Sequence, residues 1–525
     1  MSEATSEKII RNTLFNSAGF LWSYLLSFLL TPYIIHRIGI ERFGIWAIAN
    51  TAIHFFLFLD LGIGSSFVKY IAEYNTKKNY KMINEVINTG LAFSLLFCMC
   101  VFVAFLLLKS FITGLLKFSP ELYSDVLFAL LGVLIVFVIN YAFTVFKSTL
   151  YGLQRIDIIN KIFIIVSIPG TIGLILFLSS GYGLRGYVYN SIMIAVVTVI
   201  SYVVCTYRIL PQIVIHPRFF STEMFKRLWS FGFKVQISGF SEFVNSQLDK
   251  VLLGHFLGVR TVAFYALGSK MALTVGTLPS VLLQAIEPAT SALDAEKDAG
   301  ALNRLYTRGT KYIVFLSFPL SFFVITNASP IMHFWMSGPG YDKSVLAIQI
   351  LTIGYFFFLI NSVGRLMARG MGVPQFEMVS ALIILGLNIL LSVVLIILFG
   401  FVGALIGTCI SSVIGSLYFM IRFHKHIKRP ILFFIKDIYL KPLVACVIAI
   451  LMSLTIDFLF RSISFSPLER IGYFIYLSLK GAMFSGTYLV CIFFIRYLDE
   501  YDKNVFLSAI KMPLCKLGMI KNNSE

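Results

Sequence analysis

Eight side chains in this sequence offer chemistry where charge and polarity are expensive. Asn50, His54 and Asp60 lie in one long apolar run, and Glu242 and Asp249 lie in a second. Lys270 and Glu287 lie in a third, and Arg365 stands near the end of a fourth. A charge at the centre of a membrane-spanning helix costs about 2.5–3.5 kcal/mol on insertion scales, so it usually faces a cavity or a partner. The cationic groups offer charge-assisted hydrogen bonds to phosphate oxygens. The carboxylates offer sites for coupling protons or cations, and histidine changes charge near neutral pH. Asn50 and His54 share one helical face at i, i+4 spacing. Lys270 stands among Gly268, Ser269, Ala272 and Gly276, a small-residue face that admits a close helix or lines a cavity.

Each of these groups also has a plainer reading. Asp249 beside Lys250 reads as an ion pair at the outer end of its span. His54 reads as a histidine satisfied within the bundle, and Asp60 and Glu287 as partners of basic groups. Arg365, and Asp457 in a later run, lie close enough to span ends to reach the interface.

The elements that position these groups are membrane spans. The chain has 525 residues, of which 58% are hydrophobic and 13% charged; soluble domains carry about 25% charged residues. Runs of about 20 apolar residues, enough for a hydrocarbon core about 30 Å thick, recur throughout. They predict an all-α polytopic membrane protein with about fourteen spans, at 14–36, 44–68, 83–108, 124–146, 162–180, 187–207, 231–254, 262–291, 312–333, 345–368, 376–399, 402–421, 442–460 and 471–495. The first run follows Lys8 and Arg11 but is too long for a signal peptide and lacks a small-x-small cleavage site, so it reads as a retained span. The seven cysteines fall almost entirely within apolar runs, without metal-ligand spacing.

Charge sets the expected orientation. With the N-terminus inside, the inner segments and adjoining span ends hold 31 of the 43 Lys and Arg, and short loops rich in these residues stay cytoplasmic. Both termini are therefore expected inside. The net charge of +18 is scattered over many loops and forms no single basic face, which argues against a nucleic-acid partner.

The chain also repeats itself. His36, Gly39, Gly44 and Trp46 align with His255, Gly258, Ala263 and Tyr265 at one constant offset, the separation of Gly39 from Gly258. Gly181-Tyr182-Gly183 aligns with the Gly400–Gly403 stretch at the same offset. Tyr151–Arg155, after span four, matches Arg369–Pro374, after span ten. Parallel repeats of this kind are related by an axis along the membrane normal, with the substrate site between the halves. The expected plan is a six-helix lobe at 1–210, a cytoplasmic linker helix at 211–230, and a second six-helix lobe at 231–425. Two further spans follow at 426–495, then a tail at 496–525. In the linker, Ser221 or Thr222 is expected to cap a short interfacial helix carrying Phe225, Leu228 and Trp229 on one face.

The segments TPYIIHRIGIERFGIWAIA and LDLGIGSS, with NSQLDKVLLGHFLG, GMGVPQFE and GFVGALIGTCISS, resemble polysaccharide (O-antigen, Wzx-type) flippases. These belong to the superfamily that also contains multidrug exporters and lipid II flippases. The resemblance covers about residues 9–425. It implies an oligosaccharide repeat unit on an undecaprenyl diphosphate carrier, moved from the inner to the outer leaflet of the cytoplasmic (inner) membrane by alternating access. Membrane lipids and a polysaccharide polymerase are implied as partners, and no cofactor beyond a coupling proton or sodium ion. A same-fold exporter of amphipathic cations is the rival, since both signs of charge are present. A membrane glycan polymerase or ligase would need a large outer loop bearing catalytic groups. The longest outer segment, about 109–123, carries only Lys109, Lys117 and Glu121 as charged residues. No nucleotide-binding Gly-Lys-Ser/Thr motif appears, so the expectation is a transporter and not an enzyme.

Overall fold

The computed structural model describes residues 22, 25–59, 63–283, 286–338, 340–460 and 469–502. Among them the chain is helical and contains no strand. The helices are α1 Leu25–Ile38, α2 Ile40–Leu59, α3 Ile63–Thr76, α4 Tyr80–Gly114, α5 Tyr123–Ala142, α6 Thr144–Gly152, α7 Ile156–Ser179 and α8 Gly183–Ile209. They continue with α9 Thr222–Phe256, α10 Val259–Thr274, α11 Thr277–Leu283, α12 Ile286–Ala295, α13 Ala299–Thr326, α14 Ala328–Met336, α15 Asp342–Ile360, α16 Ser362–Gly370 and α17 Gln375–His426. Then α18 Ile431–Phe433 leads through a π-helical stretch, Phe434–Leu440, into α19 Lys441–Phe460, and α20 Glu469–Phe494 follows. Nine helical segments among the described residues are long and apolar enough to cross a membrane.

Among the described residues helices fall within the expected spans, but several are broken; most of span one before Leu25 lies outside the described residues, and the expected count of fourteen is not established. Span four divides into α5 and α6 at Phe143, and span ten into α15 and α16 at Asn361, whose amide turns back to the carbonyl of Phe357. Span eight, expected as one run over 262–291, is three helices, with its first break after Thr274. Gly276 stands at that break, where glycine weakens a helix interior. The expected linker helix at 211–230 is not separate. Ser221 caps as expected, accepting from the Met224 amide, but the helix it opens is α9, which runs unbroken into span seven. Nothing between Thr222 and Phe256 breaks it, because that stretch contains no proline. Spans eleven and twelve join within α17 through a reversal at Gly400, whose φ of 58° and ψ of −130° suit glycine alone. The two halves then pack closely, with Gly403 against the Leu395 carbonyl and Gly407 against Ser392.

The repeat recurs in backbone detail. Gly39 and Gly258 both turn the chain at positive φ, 84° and 90°. Asn79 accepts from the Met82 amide and Asp298 from the Ala301 amide, each after a lysine at positive φ (Lys78 and Lys297). These pairs stand at the same offset as the two glycines. A Cβ on Gly152 would lie 3.1 Å from the Val68 carbonyl and 2.9 Å from Ile71. One on Gly370 would lie 2.9 Å from the Glu287 carbonyl and 2.8 Å from Thr290, which follow Val68 and Ile71 at that offset too. Two halves of one sequence thus close their helix pairs through the same small-residue contact.

The chain forms two compact units, residues 1–268 with 381–411, and residues 269–380 with 412–525. The first contains two cores, one around Ile45, Ala49, Val133 and Leu134, the other around Phe67, Ile71, Ile83 and Leu150. The core of the second is built on Phe419, Phe423, Phe434 and Phe484. Large apolar side chains such as Leu107, Ile397 and Phe494 point outward, as a lipid-facing surface requires.

Candidate functional site

In the first unit the residues around Asp249 form a polar cluster. The short turn at Gly258 folds α10 back along α9, so Asp249 and Tyr265, sixteen residues apart, come side by side. The Tyr265 hydroxyl donates to Asp249 Oδ2 at 2.6 Å. Thr408, on the second half of α17, lies 2.8 Å from the same oxygen and 3.0 Å from the Ala404 carbonyl, so its single proton serves one of them. Asn388 lies beside the carboxyl as well, while Oδ1 accepts no hydrogen bond among the described residues. Asp249 is 1% exposed.

The ion pair expected between Asp249 and Lys250 does not form. Successive helical residues point about 100° apart, given 3.6 residues per turn, and Lys250 Nζ donates instead to Gln247 Oε1 at 3.1 Å. Thr51 of α2 lies 3.3 Å from the same amide oxygen and 3.1 Å from the Ala47 carbonyl of its own helix, so its single proton serves one of them. Asn50, on α2, donates to the Trp46 carbonyl of its own helix. Asp60 and the side chains of His54 and Glu242 lie outside the described residues.

The two copies of the repeated turn touch each other in this unit. A Cβ on Gly44 would stand 2.0 Å from the Val259 carbonyl oxygen and 3.4 Å from the Cβ of Ala263, the residue with which Gly44 aligns. The segment after α4 closes over the same turn. The Lys117 amide donates to Gly254 at 3.0 Å and the Val259 amide to Lys117 at 3.2 Å. Lys117 Nζ reaches the Phe256 carbonyl at 3.1 Å.

In the second unit, Lys270 is half-buried on α10, its ammonium 5.9 Å from the centre of the Trp335 ring, a cation–π distance. Glu287 opens α12, half-buried, with its carbonyl against Gly370. Arg365 does not reach the interface as its place near a span end suggested. It is 5% exposed, and its guanidinium lies 3.9 Å from the Phe358 ring centre and 5.5 Å from that of Phe419, with Ser416 at 3.5 Å. The aromatic faces offset the loss of water. Asp457, half-buried, accepts from Lys480 at 2.6 Å and from Tyr476 at 2.5 Å. One ion pair thus accounts for two charges that look isolated in sequence.

Sequence reasoning missed Tyr265, Thr408 and Asn388 as site residues. Thr408 and Asn388 had a visible signal, since each is a polar residue in an otherwise apolar run. Tyr265 had only its place in the repeat. Among the described residues no group of His, Cys, Asp and Glu has the makings of a metal centre.

Over 92% of the chain, this architecture is similar to that of the lipid II flippase MurJ in an inward closed conformation, with a TM-score of 0.69 at 19% identity and 99% of that chain covered. It is also similar to an inward-facing multidrug resistance MATE family transporter of the MOP superfamily, with a TM-score of 0.60 at 16% identity over 79% of this chain and 94% of the other. The fold is that of polytopic helical transporters of this kind. Residues 37–345 match the family described as "Polysaccharide biosynthesis protein", and the chain belongs to that family. Among relatives, a Shigella flexneri protein named "Putative O-antigen transporter" is 25% identical over 358 residues, covering 66% of this chain and 82% of its own. A Haloferax volcanii protein named "Probable flippase AglR" is 21% identical over 393 residues, covering 74% and 78%.

Proposed function

We propose that this protein moves an oligosaccharide repeat unit, carried on undecaprenyl diphosphate, from the inner to the outer leaflet of the cytoplasmic membrane for surface polysaccharide biosynthesis. Family membership and the flippase and transporter names of its relatives support this reading. It works by alternating access between repeated lobes at 1–210 and 231–425, with both termini cytoplasmic and product handed to polymerase machinery outside. The observation that carries it is Lys270, a cation held half-buried in span eight of a member of a polysaccharide family. A diphosphate cannot enter a low-dielectric interior without a compensating charge. An ammonium supplies that charge as a rotatable point charge, without the fixed fork of Arg, which suits a headgroup that must also leave. His54 assists Lys270 in this reading, and Asn50, Asp60, Glu242, Glu287 and Arg365 complete the polar set. Asp249 is the coupling group. Its carboxyl, 1% exposed and with one oxygen lacking a hydrogen bond among the described residues, needs a proton or a sodium ion to balance its charge.

The MATE likeness and the buried acid favour a second reading, cation-coupled export of amphipathic cations. One experiment separates the two. Purified protein in liposomes is given fluorescently labelled undecaprenyl-diphosphate oligosaccharide, or an amphipathic cation, under an imposed proton or sodium gradient. The flippase reading expects lipid movement that survives Lys270→Arg, is mostly lost in Lys270→Ala and Lys270→Glu, and loses its gradient dependence in Asp249→Asn. Full lipid transport by Lys270→Glu would remove the lysine from the site. Movement of the cation alone would establish the exporter.

A further inference from the structure

The second unit contains a cavity of about 540 Å³ that the transport reading does not use. It lies between α13 and the ends of α11, α12 and α16, and Tyr501 of the segment after α20 forms part of its wall. Its walls are mainly apolar, with Leu282, Ile286, Leu305, Ile313 and Val363 among them. Arg304, Arg308 and Tyr312 project into it from α13 at i, i+4 and i+8, one face of one helix.

The segment that completes this wall is fastened down. Asp502 accepts from Lys311 at 2.5 Å and from Tyr312 at 2.7 Å, and Asp499 and Asp502 bond each other's amides. The fastening lays the Tyr501 ring under the Arg308 guanidinium at 3.6 Å. Among the described residues, the acids nearest the two arginines are Asp298, 4.0 Å from Arg304, and Asp499, 3.9 Å from Arg308. Both separations exceed hydrogen-bond length. A ligand anion therefore meets donors that these carboxylates do not saturate.

The cavity stands at the end of α13 that adjoins the basic loops, the end which the charge distribution assigns to the cytoplasmic face. An apolar pocket with a guanidinium pair at its mouth, at interfacial depth, has the chemistry of a lipid-phosphate site. Its volume is at the scale of small-ligand pockets, about 300–1,000 Å³. That suffices for a headgroup and the first carbons of its chains, and falls short of an oligosaccharide unit with its prenyl carrier. We propose that this cavity binds an anionic phospholipid of the inner leaflet, its phosphate held by Arg304 and Arg308 and its chains entering over Ile286 and Leu305, with the tail segment bearing Tyr501 as one wall.

The proposal is independent of the transported substrate and is tested on the full chain. Tyr501→Trp keeps an aromatic face under Arg308 and puts a reporter in the wall. The protein is reconstituted in phosphatidylcholine vesicles with increasing brominated phosphatidylglycerol, or with brominated phosphatidylcholine as the neutral arm. The quenching unique to the introduced indole is obtained by subtracting the signal of the unsubstituted protein. Half-quenching is expected at a mole fraction at least fivefold lower for phosphatidylglycerol. The preference should vanish in Arg304→Gln/Arg308→Gln and persist in Arg304→Lys/Arg308→Lys, with thermal transitions confirming that both variants fold. Equal quenching by the two lipids, or a preference that survives the glutamine variant, overturns the proposal. Relief of quenching by unbrominated undecaprenyl phosphate at a lower mole fraction than by unbrominated phosphatidylglycerol reassigns the cavity to the carrier lipid. Relief by inorganic phosphate alone shows that no lipid is required. Either result overturns the proposal as well.

Discussion

The contact between the two copies of the repeated turn gives the sharpest perturbation. A methyl group added at Gly44 would sit 2.0 Å from the Val259 carbonyl oxygen, where ordinary contact begins at 3.4 Å, so the two backbones must part by most of that shortfall. The obstructing atom is backbone, so no rotamer change relieves it. The turn cannot retreat freely, because the bonds between Lys117 and Gly254 and Val259 hold it, and α2 is packed through Ile45 and Ala49 into the core that also contains Val259. Overpacking of this kind costs about 1–3 kcal/mol, and two fixed backbones place Gly44→Ala near the upper figure. At about 1.4 kcal/mol per tenfold, the population in which α2 and the Val259 turn are closed falls on the order of a hundredfold relative to states in which they part. Thr261, 6% exposed at this turn, is the reporter site. A Thr261→Cys protein treated with a membrane-impermeant maleimide on the face opposite the basic loops should label slowly, and at least tenfold faster once Gly44→Ala is added. Unchanged labelling in a protein of unchanged thermal stability would show that the seam stays shut or that α2 bends without opening it. Either result refutes the reasoning.

Two further outcomes follow from the charges of the second unit. Lys480→Met leaves Asp457 without its cation; breaking a buried pair costs about 3–5 kcal/mol, reduced here to about 1–3 because the Asp457 side chain is 35% exposed. Adding Asp457→Asn should restore most of the lost thermal stability, which a detergent melting series measures. Asp502 lies beyond the last span, and burial acts to raise its carboxyl. Lys311, Tyr312 and the Asp499 amide prevail and hold it below the ordinary value of 3.8. A depressed carboxylate contributes its stability above the unfolded value and loses it as pH falls through the folded one. Emission from Tyr501→Trp should therefore stay constant from pH 8 to 5 and change only below about pH 4. A transition centred between pH 6 and 7 would assign tail docking to another group.

Much of this architecture was legible because apolar length and period are written directly in the sequence. The repeat was legible too at Gly39 with Gly258, since a positive-φ turn leaves few choices of residue, whereas the matching helix caps at Asn79 and Asp298 emerged only from their hydrogen bonds. The breaks were not. A run of twenty apolar residues reads the same whether it is one helix or two. Phe143 carries no proline or glycine to mark the break there, and Asn361 had to turn its amide onto its own helix to reveal one. The continuity of α9 was hidden by the opposite effect, since a good cap at Ser221 followed by an amphipathic stretch looks the same whether the helix stops or runs on.

The embedded charges show where one-dimensional reading ends. Asp249 and Lys250 are adjacent in sequence yet their side chains make no ion pair, whereas Asp457 and Lys480 are 23 residues apart and share a hydrogen bond. A charge inside a span announces that it has a partner but does not say which, because the partner arrives from another helix whose register is set by packing. In lipid that packing is not driven by removing apolar surface from water; small residues and hydroxyls permit it. Gly403 and Gly407 close the two halves of α17, and Thr408, one residue further, presents its hydroxyl to Asp249. The small residues that fold the hairpin are therefore also what carries a second polar group to the buried acid. The polar residues worth scanning for in such a sequence are those that follow a small-xxx-small stretch, a rule that in this apolar run picks out Thr408 together with Ser412.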